Sequence, residues 1–157
     1  MIAETFATAR ESIRVLDYGG GSGRMAELLQ TKGFAAVTYD PYSNHQKRPE
    51  GQFDLITCFE MLEHTPWPLD TVAQMHALLK DDGLILFSTL LQPKTINEIG
   101  LSWWYAGPRN GHCSLYSEEA LMWLFASVGM QVASSNEALH VAYRRVPSFA
   151  AHLRIGR

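Results

Sequence analysis

Residues 15–29 read VLDYGGGSGRMAELL, and this stretch decides the fold. A short apolar segment contains an acid near its end, three adjacent glycines follow, and an apolar repeat of helical spacing comes next. A strand, a glycine turn and a helix in this order are typical of the first unit of an open α/β sheet, where the turn binds a ligand. The next question is which ligand suits Asp17, the acid near the exit of the strand.

The rest of the chain continues the same alternation. Apolar, β-branched runs predict strands, and apolar residues at i, i+3, i+4 and i+7 predict helices. The predicted strands are 13–18, 35–39, 53–58, 84–89, 130–134 and 139–143; the predicted helices follow the glycine turn up to residue 33, cover 72–79 and end at a turn over 81–83, and run from the cap Ser117 to Gly129. This order predicts a Rossmann-like, doubly wound α/β domain with a mostly parallel sheet and an antiparallel last strand. We take residues 1–157 as a single domain with a solvated tail over 144–157.

Composition narrows the classes of function. The net charge is −3, which gives no basic field for a phosphate backbone and disfavours a nucleic-acid partner. Cys58 and Cys113 lie far apart without metal-ligand spacing, as in reduced cytoplasmic proteins. No apolar run approaches the ~18 residues of a membrane span. We therefore expect a cytoplasmic protein without a membrane span.

The glycine turn by itself fits two ligands. Gly21, Gly23 and Ala26 satisfy the dinucleotide pattern GxGxxG/A, and Asp40 stands where a ribose partner is expected. However, the Asp17 carboxylate would repel a pyrophosphate, which carries two negative charges. S-adenosylmethionine carries a sulfonium and an ammonium instead, and a nearby acid attracts such a charge by ~1 to 4 kcal/mol. The sign of the charge favours S-adenosylmethionine over a nicotinamide dinucleotide.

Three stretches resemble the class I S-adenosylmethionine-dependent methyltransferases. They are VLDYGGGSGRMAELL, VTYDP at 37–41, and FDLITCFEMLEHTPWPLDTVAQMHALLKDDGLILFST at 53–89. The resemblance spans roughly residues 12–90 and is to the small-molecule branch that includes the ubiquinone-pathway O-methyltransferases. It implies methyl transfer to a small-molecule acceptor, with oxygen favoured and S-adenosylhomocysteine as product. The cofactor-binding residues that it implies are Asp17, Gly19, Gly21, Gly23, Asp40, Phe59, Glu60 and Met61.

The chain departs from this family between Asp40 and the next strand. Only twelve residues, 41–52, lie there, whereas a helix, a strand and a further crossover need roughly thirty. We therefore predict a loop over 41–52, one strand fewer than the usual seven, and a more open adenine pocket. The acid that often contacts adenine in the family has no counterpart that we identify.

His64 is the candidate catalytic residue. It follows the strand that carries Cys58, and histidine is the side chain that most often serves as a general base, which an acceptor hydroxyl requires. An alternative is that His64 only orders its own loop by capping the helix after Pro66. His112 beside Cys113 supplies two potential ligands, which do not make a zinc site, so we expect no metal.

Residues 91–116 form the longest stretch without a clear period, and we expect them to form a lid or substrate wall. Trp103 and Trp104 are adjacent, so both cannot face inward on an extended segment and one should be accessible. The candidate substrate residues are Trp104, Tyr105, Arg109 and His112, whose polar groups suit an anionic or phenolic acceptor.

Three rival functions remain open at this point. They are an NAD(P)-binding oxidoreductase, a nucleic-acid or protein methyltransferase, and a non-enzymatic S-adenosylmethionine-binding module. The module is favoured by the shortened adenine side and by an N-terminal segment too short for a helical cap over the cofactor. Whether the chain is an enzyme or a binding module, a second copy in a homo-oligomer or a flanking domain would cover the cofactor.

Overall fold

The computed structural model describes residues 2–43, 47–153 and 155. The strands are β1 (Arg14–Tyr18), β2 (Ala35–Tyr39), β3 (Phe53–Phe59), β4 (Leu79–Ser88), β5 (Gln131–Ser134) and β6 (Leu139–Tyr143). The helices are α1 (Ile2–Thr5), α2 (Arg24–Thr31), α3 (Pro68–Leu78), α4 (Ile96–Ile99) and α5 (Glu118–Ala126), and 3-10 turns cover Ala7–Ala9, Leu62–His64, Gly100–Ser102, Trp104–Ala106, Pro108–Asn110 and Ser148–Leu153. None of the helices in these ranges has both the length and the apolar character needed to cross a bilayer.

Six strands form one sheet within the described residues, in the order β2-β1-β3-β4-β6-β5. The strands β2, β1, β3 and β4 run parallel to one another, while β6 runs antiparallel to both β4 and β5. The predicted doubly wound α/β fold, with one strand fewer than seven, is confirmed. Of the predicted 41–52 loop, 44–46 lie outside the described residues, and 41–43 and 47–50 have no helix or strand.

Helices and terminal segments cover both faces of the sheet. On one face, Leu16, Ile56 and Phe87 pack with α3 and α5. On the other face, Val15 and Leu55 pack with α2 and with both chain ends. Strands buried on both faces have to be apolar at nearly every position, which is why their sequence pattern is so clear.

The boundary between α3 and β4 differs from the prediction. The helix ends before Leu79, and the predicted turn over 81–83 lies inside β4 instead. Leu79 pairs with Phe53 at an irregularity of the β3–β4 ladder, and Lys80 Nζ lies 2.8 Å from a carboxylate oxygen of Asp54. Helical spacing suits Leu79 equally well, but strand pairing with a residue distant in sequence decides its conformation.

The predicted solvated tail over 144–157 is wrong for its described residues 148–153. Residues Ser148–Leu153 form a 3-10 helix, and Ala150 within it is completely buried. Phe149 packs edge-on against Phe6, with ring centroids 5.8 Å apart. The arginines dominate the sequence pattern of this segment, but its apolar residues decide how it packs. Arg154, Gly156 and Arg157 lie outside the described residues.

Candidate functional site

Two segments meet where β1 and β3 end. The strands are parallel neighbours with Asp17 opposite Thr57, so the turn over 19–23 and the segment over 59–64 leave the sheet at the same edge. The two segments touch, because a Cβ added to Gly19 would lie 2.5 Å from Met61 Cγ. Gly19 also has a φ of +76°, which favours glycine. The strands β1 and β3 are thus neighbours, and a cleft at this edge follows from the strand order.

Asp17 carries a buried carboxylate at this edge. Its side chain is 3% exposed, and its Oδ1 accepts a hydrogen bond of 3.4 Å from Thr57 Oγ1. Its Oδ2 is buried and accepts no hydrogen bond from the described residues. Burial raises the pKa of Asp17 to about 6. Hydrogen bonds from the Thr57 and Thr38 side chains lower the pKa and oppose this effect of burial, and the group is mostly ionised at neutral pH.

Gly20 is a functional position that the sequence reasoning missed. A Cβ at this position would overlap both the Asp17 carboxylate and Thr38 Oγ1. The Thr38 hydroxyl in turn donates a hydrogen bond of 3.2 Å to the Asp17 carbonyl oxygen. The middle glycine of the GGG triplet was the available signal, since the dinucleotide pattern does not require it.

Asp40 joins the glycine turn to the end of β2. Its Oδ2 accepts a hydrogen bond of 3.2 Å from the Gly21 backbone N–H, and its Oδ1 accepts one of 2.9 Å from the Tyr42 backbone N–H. Gly21 has open space where a side chain would lie, and Gly23 is the N-cap of α2. The Asp40 carboxylate therefore holds the glycine turn against the segment that follows β2.

The three residues that follow the core of β3 have different surroundings. Phe59 is half-buried against the second face of the sheet, and Met61 is buried under Gly19. Glu60 is exposed with a φ of +49°, which is uncommon outside glycine. Its backbone N–H donates to Ser88 Oγ at 3.0 Å, and that hydroxyl donates to Glu60 Oε1 at 2.8 Å. The end of β4 therefore fixes the Glu60 side chain at the edge of the sheet.

His64 and His112 come together from distant parts of the chain. Their ring centroids are 4.8 Å apart. His64 Nδ1 lies 3.2 Å from the carbonyl oxygen of Gly111, and His112 Nδ1 lies 2.7 Å from that of Tyr105. A carbonyl oxygen only accepts, so each Nδ1 carries a proton and donates it. In the neutral imidazole, each Nε2 then has a lone pair available.

Glu63 is a second residue that the sequence reasoning missed. Its side chain is completely buried, and neither carboxylate oxygen has a hydrogen-bond partner in the described part of the chain. Burial raises the pKa of Glu63, and the charge of Glu60 raises it further. The Glu63 backbone carbonyl accepts hydrogen bonds from the backbone N–H groups of Cys113 and Ser114, at 2.8 and 3.0 Å. These two bonds fasten the 91–116 segment to the turn after β3.

The candidate substrate residues lie in unequal environments. Trp103 is 7% exposed and Trp104 is 69% exposed, which confirms that one of the two is accessible. Tyr105 is buried against the ring of His112, and its hydroxyl oxygen accepts a hydrogen bond from the Leu90 N–H. Arg109 is exposed. The structure thus places His112 next to His64, and the ring of Tyr105 packs against the ring of His112.

A mostly parallel sheet with an acid under a glycine turn is the arrangement of a Rossmann-like nucleotide-cofactor domain. The chain belongs to the family described as "Methyltransferase domain", whose profile matches residues 1–135.

The curated relatives are longer than this chain. The ubiquinone biosynthesis O-methyltransferase of Pseudomonas paraeruginosa is 35% identical over 92 residues, which are 57% of this chain and 40% of the relative. Its counterpart in Escherichia fergusonii is 33% identical over 105 residues, 66% of this chain and 41% of the relative. The chain therefore spans about two fifths of the length of these relatives.

A solved structure shows the same fold. The 1,6-didemethyltoxoflavin-N1-methyltransferase of Burkholderia thailandensis, with bound 1,6-didemethyltoxoflavin and S-adenosylhomocysteine, aligns with a TM-score of 0.61. The alignment covers 89% of this chain and 73% of that one, at 18% identity. The Rossmann-like methyltransferase fold expected from the sequence is confirmed.

Proposed function

We propose that this chain is an S-adenosylmethionine-dependent methyltransferase that acts on a hydroxyl group of a small molecule. The observation that carries the proposal is the buried Asp17 carboxylate, with one unpartnered oxygen among the described residues, beneath the glycine turn. An ionised acid there attracts a cationic donor by ~1 to 4 kcal/mol and repels a pyrophosphate. The matched O-methyltransferases support oxygen as the acceptor atom.

The residues at the edge of the sheet fit this cofactor. The charge of Asp17 favours the cationic methionine end, and the turn of Gly19, Gly21 and Gly23 leads into the N-terminus of α2, which favours the cofactor carboxylate. When bound, S-adenosylmethionine supplies a methyl group that the sulfonium has already activated.

The remaining cofactor contacts come from the ends of β2 and β3. Asp40 accepts hydrogen bonds from the ribose hydroxyls, and Glu60 and Met61 lie along the cofactor. Phe59 belongs to the same proposed set, although its half-buried ring packs in the core.

His64 is the proposed base for the acceptor hydroxyl. Its ring is exposed, and Nδ1 is held by the Gly111 carbonyl, which leaves the lone pair of Nε2 to accept a proton. The unprotonated Nε2 of His112 beside it accepts a hydrogen bond from a phenolic acceptor. Trp104 and Arg109 form the outer wall of the acceptor site, with Tyr105 as its support.

Turnover over a panel of phenolic, carboxylic and amine acceptors tests this function, with S-adenosylhomocysteine as the measured product. We expect methylation of a hydroxyl acceptor by the unaltered chain. His64→Ala should keep its affinity for S-adenosylhomocysteine and lose turnover by roughly 100-fold or more, the usual contribution of a general base. The matched control is His152→Ala, an exposed histidine on the C-terminal 3-10 helix.

Two outcomes would contradict the proposal. Full turnover by His64→Ala would remove His64 from the mechanism. Binding of S-adenosylhomocysteine without methylation of any acceptor would show a binding module instead of an enzyme.

The proposal also covers the setting of the protein. We place it in the cytoplasm as a single domain over residues 1–157, without a nucleic-acid partner, in keeping with two free cysteines and a net charge of −3. A homo-oligomeric neighbour or a flanking domain would cover the cofactor.

A further inference from the structure

Helix α5 is apolar on the side that faces solvent as well as on the side that faces the core. Leu121, Leu124 and Phe125 are buried, but Met122 is 53% exposed and Trp123 is 77% exposed. A surface helix ordinarily places polar residues on its outer side, and a helix that is apolar all round is usually covered. The outer side of α5 is therefore an apolar surface that the described part of the chain leaves open to solvent.

The start of α3 continues this surface. Trp67 is 67% exposed and Leu69 is 60% exposed. Three cavities of 350, 490 and 380 Å³ lie side by side here, because the first and second share Pro68 and Leu69 as walls, and the second and third share Trp123. We call the surface formed by residues 66–70, residues 113–116 and the outer side of α5 the α3–α5 face.

We propose that the α3–α5 face binds a second copy of this chain in a two-fold symmetric dimer. The size of the face supports this occupant. At up to about 250 Å² per tryptophan, Trp67 and Trp123 alone present roughly 350 Å² of exposed surface. This is the size of the largest apolar patches on monomers, and a standard interface buries about 800 Å² on each partner. Leu69, Met122 and the cavity walls supply further area toward that value.

The charge of the face favours a protein partner. Of the described residues that line the three cavities, only Asp70 and Glu119 are charged, and both are acids. Anionic lipid headgroups and phosphate backbones are bound by lysine and arginine, so this face does not attract them. Exposed tryptophan and methionine with few charges are typical of the core of a protein interface, and homodimer interfaces are more apolar than others.

The shape of the face suits a second copy of the same surface. Trp123 lies between the cavities of 490 and 380 Å³, so a projecting side chain and a recess are next to each other on one helix. A two-fold axis beside this residue would place the tryptophan of each copy in a recess of the other. Because such an interface uses the same surface on both copies, it closes at two copies and forms no larger assembly.

The proposed interface borders the candidate acceptor site. Residues 113–116 follow His112 directly and form a wall of the 490 Å³ cavity. The dimer does not rest on the proposed function, however, because neither the cofactor nor the acceptor takes part in the interface.

Sedimentation of the full chain over a series of protein concentrations tests the dimer. We expect a monomer–dimer equilibrium without larger species. Trp123→Ala and Leu69→Asp should each weaken association by roughly 30-fold or more, because a two-fold dimer loses each anchor twice. The matched control is Leu101→Asp, which changes a leucine that is 85% exposed outside the face and should associate as the unaltered chain does.

Alkylation by N-ethylmaleimide tests where the two copies meet. Cys113 is exposed and lines the 490 Å³ cavity, whereas Cys58, the other cysteine, is buried. We expect Cys113 to react more slowly as the protein concentration rises and the dimer forms. In Trp123→Ala, which stays monomeric at the same concentrations, the rate should not change.

The inference is overturned by a chain that stays monomeric at every concentration, including a monomer that binds phosphatidylcholine vesicles or another protein instead. It is also overturned by assemblies larger than a dimer, by a dimer that both variants leave intact, or by a dimer in which Cys113 reacts at the monomer rate. Circular dichroism checks the fold of each variant, which should be retained because the altered side chains are exposed.

Titration of the same samples with S-adenosylhomocysteine separates the two proposals. A dimer that does not bind the cofactor product supports the α3–α5 face and contradicts the proposed function. A monomer that binds it contradicts only the dimer.

Discussion

At the scale of single residues, Asp17 has opposed effects on stability and on binding. Its burial raises its pKa to about 6, so holding it ionised costs the folded protein free energy. The same unpaired charge is what selects a cationic ligand. Gly20 belongs to this arrangement, because only a residue without a side chain leaves room for the carboxylate.

Replacement of Asp17 by Asn should therefore stabilise the ligand-free protein above about pH 6. The folded pKa of about 6 exceeds the ordinary value of 3.8, so the ionised group destabilises the fold as the pH rises through this window. We expect a gain of up to about 3 kcal/mol near neutral pH and no pH-dependent gain below about pH 4.

Urea unfolding across this pH range measures the difference between Asp17→Asn and the unaltered chain. The exposed acid Asp82, changed to Asn, serves as the control and should show no such dependence. A stability difference that does not change with pH would contradict the assigned cost of the Asp17 charge.

Some residues of the candidate site could be predicted from the sequence and others could not. Asp17 and Asp40 were predictable, because each stands at the end of an apolar strand. Glu63 was not, because its burial depends on the 91–116 segment, which its backbone carbonyl binds through Cys113 and Ser114. The approach of His112 to His64 depends on the same long-range contact.

At the scale of elements, the local sequence was sufficient to predict the regular helices and strands. The predicted cap of α5 is confirmed, since Ser117 Oγ accepts a hydrogen bond of 3.1 Å from the Ala120 N–H. The end of α3 was not predictable from local signals, because Leu79 leaves the helix to pair with Phe53. The local sequence pattern predicts that a helix or strand is present, whereas the residue at which it ends depends on the strand or helix that it contacts.

Loss of the α5 cap should lower stability without affecting the site. Ser117→Ala removes the acceptor for the Ala120 backbone N–H group, which has no partner within the helix, and should lower the free energy of unfolding by about 1 kcal/mol. For a chain of this size the melting temperature should fall by roughly 2–4 °C. Calorimetry measures the shift, and the exposed Ser102→Ala should leave the melting temperature unchanged. An equal shift in both variants would argue against the cap.

At the scale of the whole molecule, the number of strands in the sheet follows from one short connection. Residues 41–52 are too few for another crossover unit, so the sheet has six strands in the described residues instead of seven. The packing of the chain ends was not predictable, because Phe6 and Phe149 are far apart in sequence and meet only in the folded chain.

A double-mutant cycle tests this contact between the chain ends. Phe6 is completely buried, so Phe6→Ala should cost about 3–5 kcal/mol, and Phe149→Ala should cost less because its ring is only half-buried. The two losses should not be additive, with a coupling of about 0.5–1.5 kcal/mol for an edge-on aromatic pair. Additive losses in urea unfolding would show that the ends do not support each other.

The central claim is that the charge of Asp17 selects a ligand with a positively charged methionine end. S-adenosylhomocysteine shares the ammonium group of the methyl donor, so titration with S-adenosylhomocysteine and NADH tests the claim most directly. We expect the unaltered chain to bind S-adenosylhomocysteine and not NADH, with Asp17→Asn weakening that binding by roughly tenfold or more and Asp82→Asn leaving it unchanged. Binding of NADH without S-adenosylhomocysteine, or equal affinity of Asp17→Asn for S-adenosylhomocysteine, would contradict the claim.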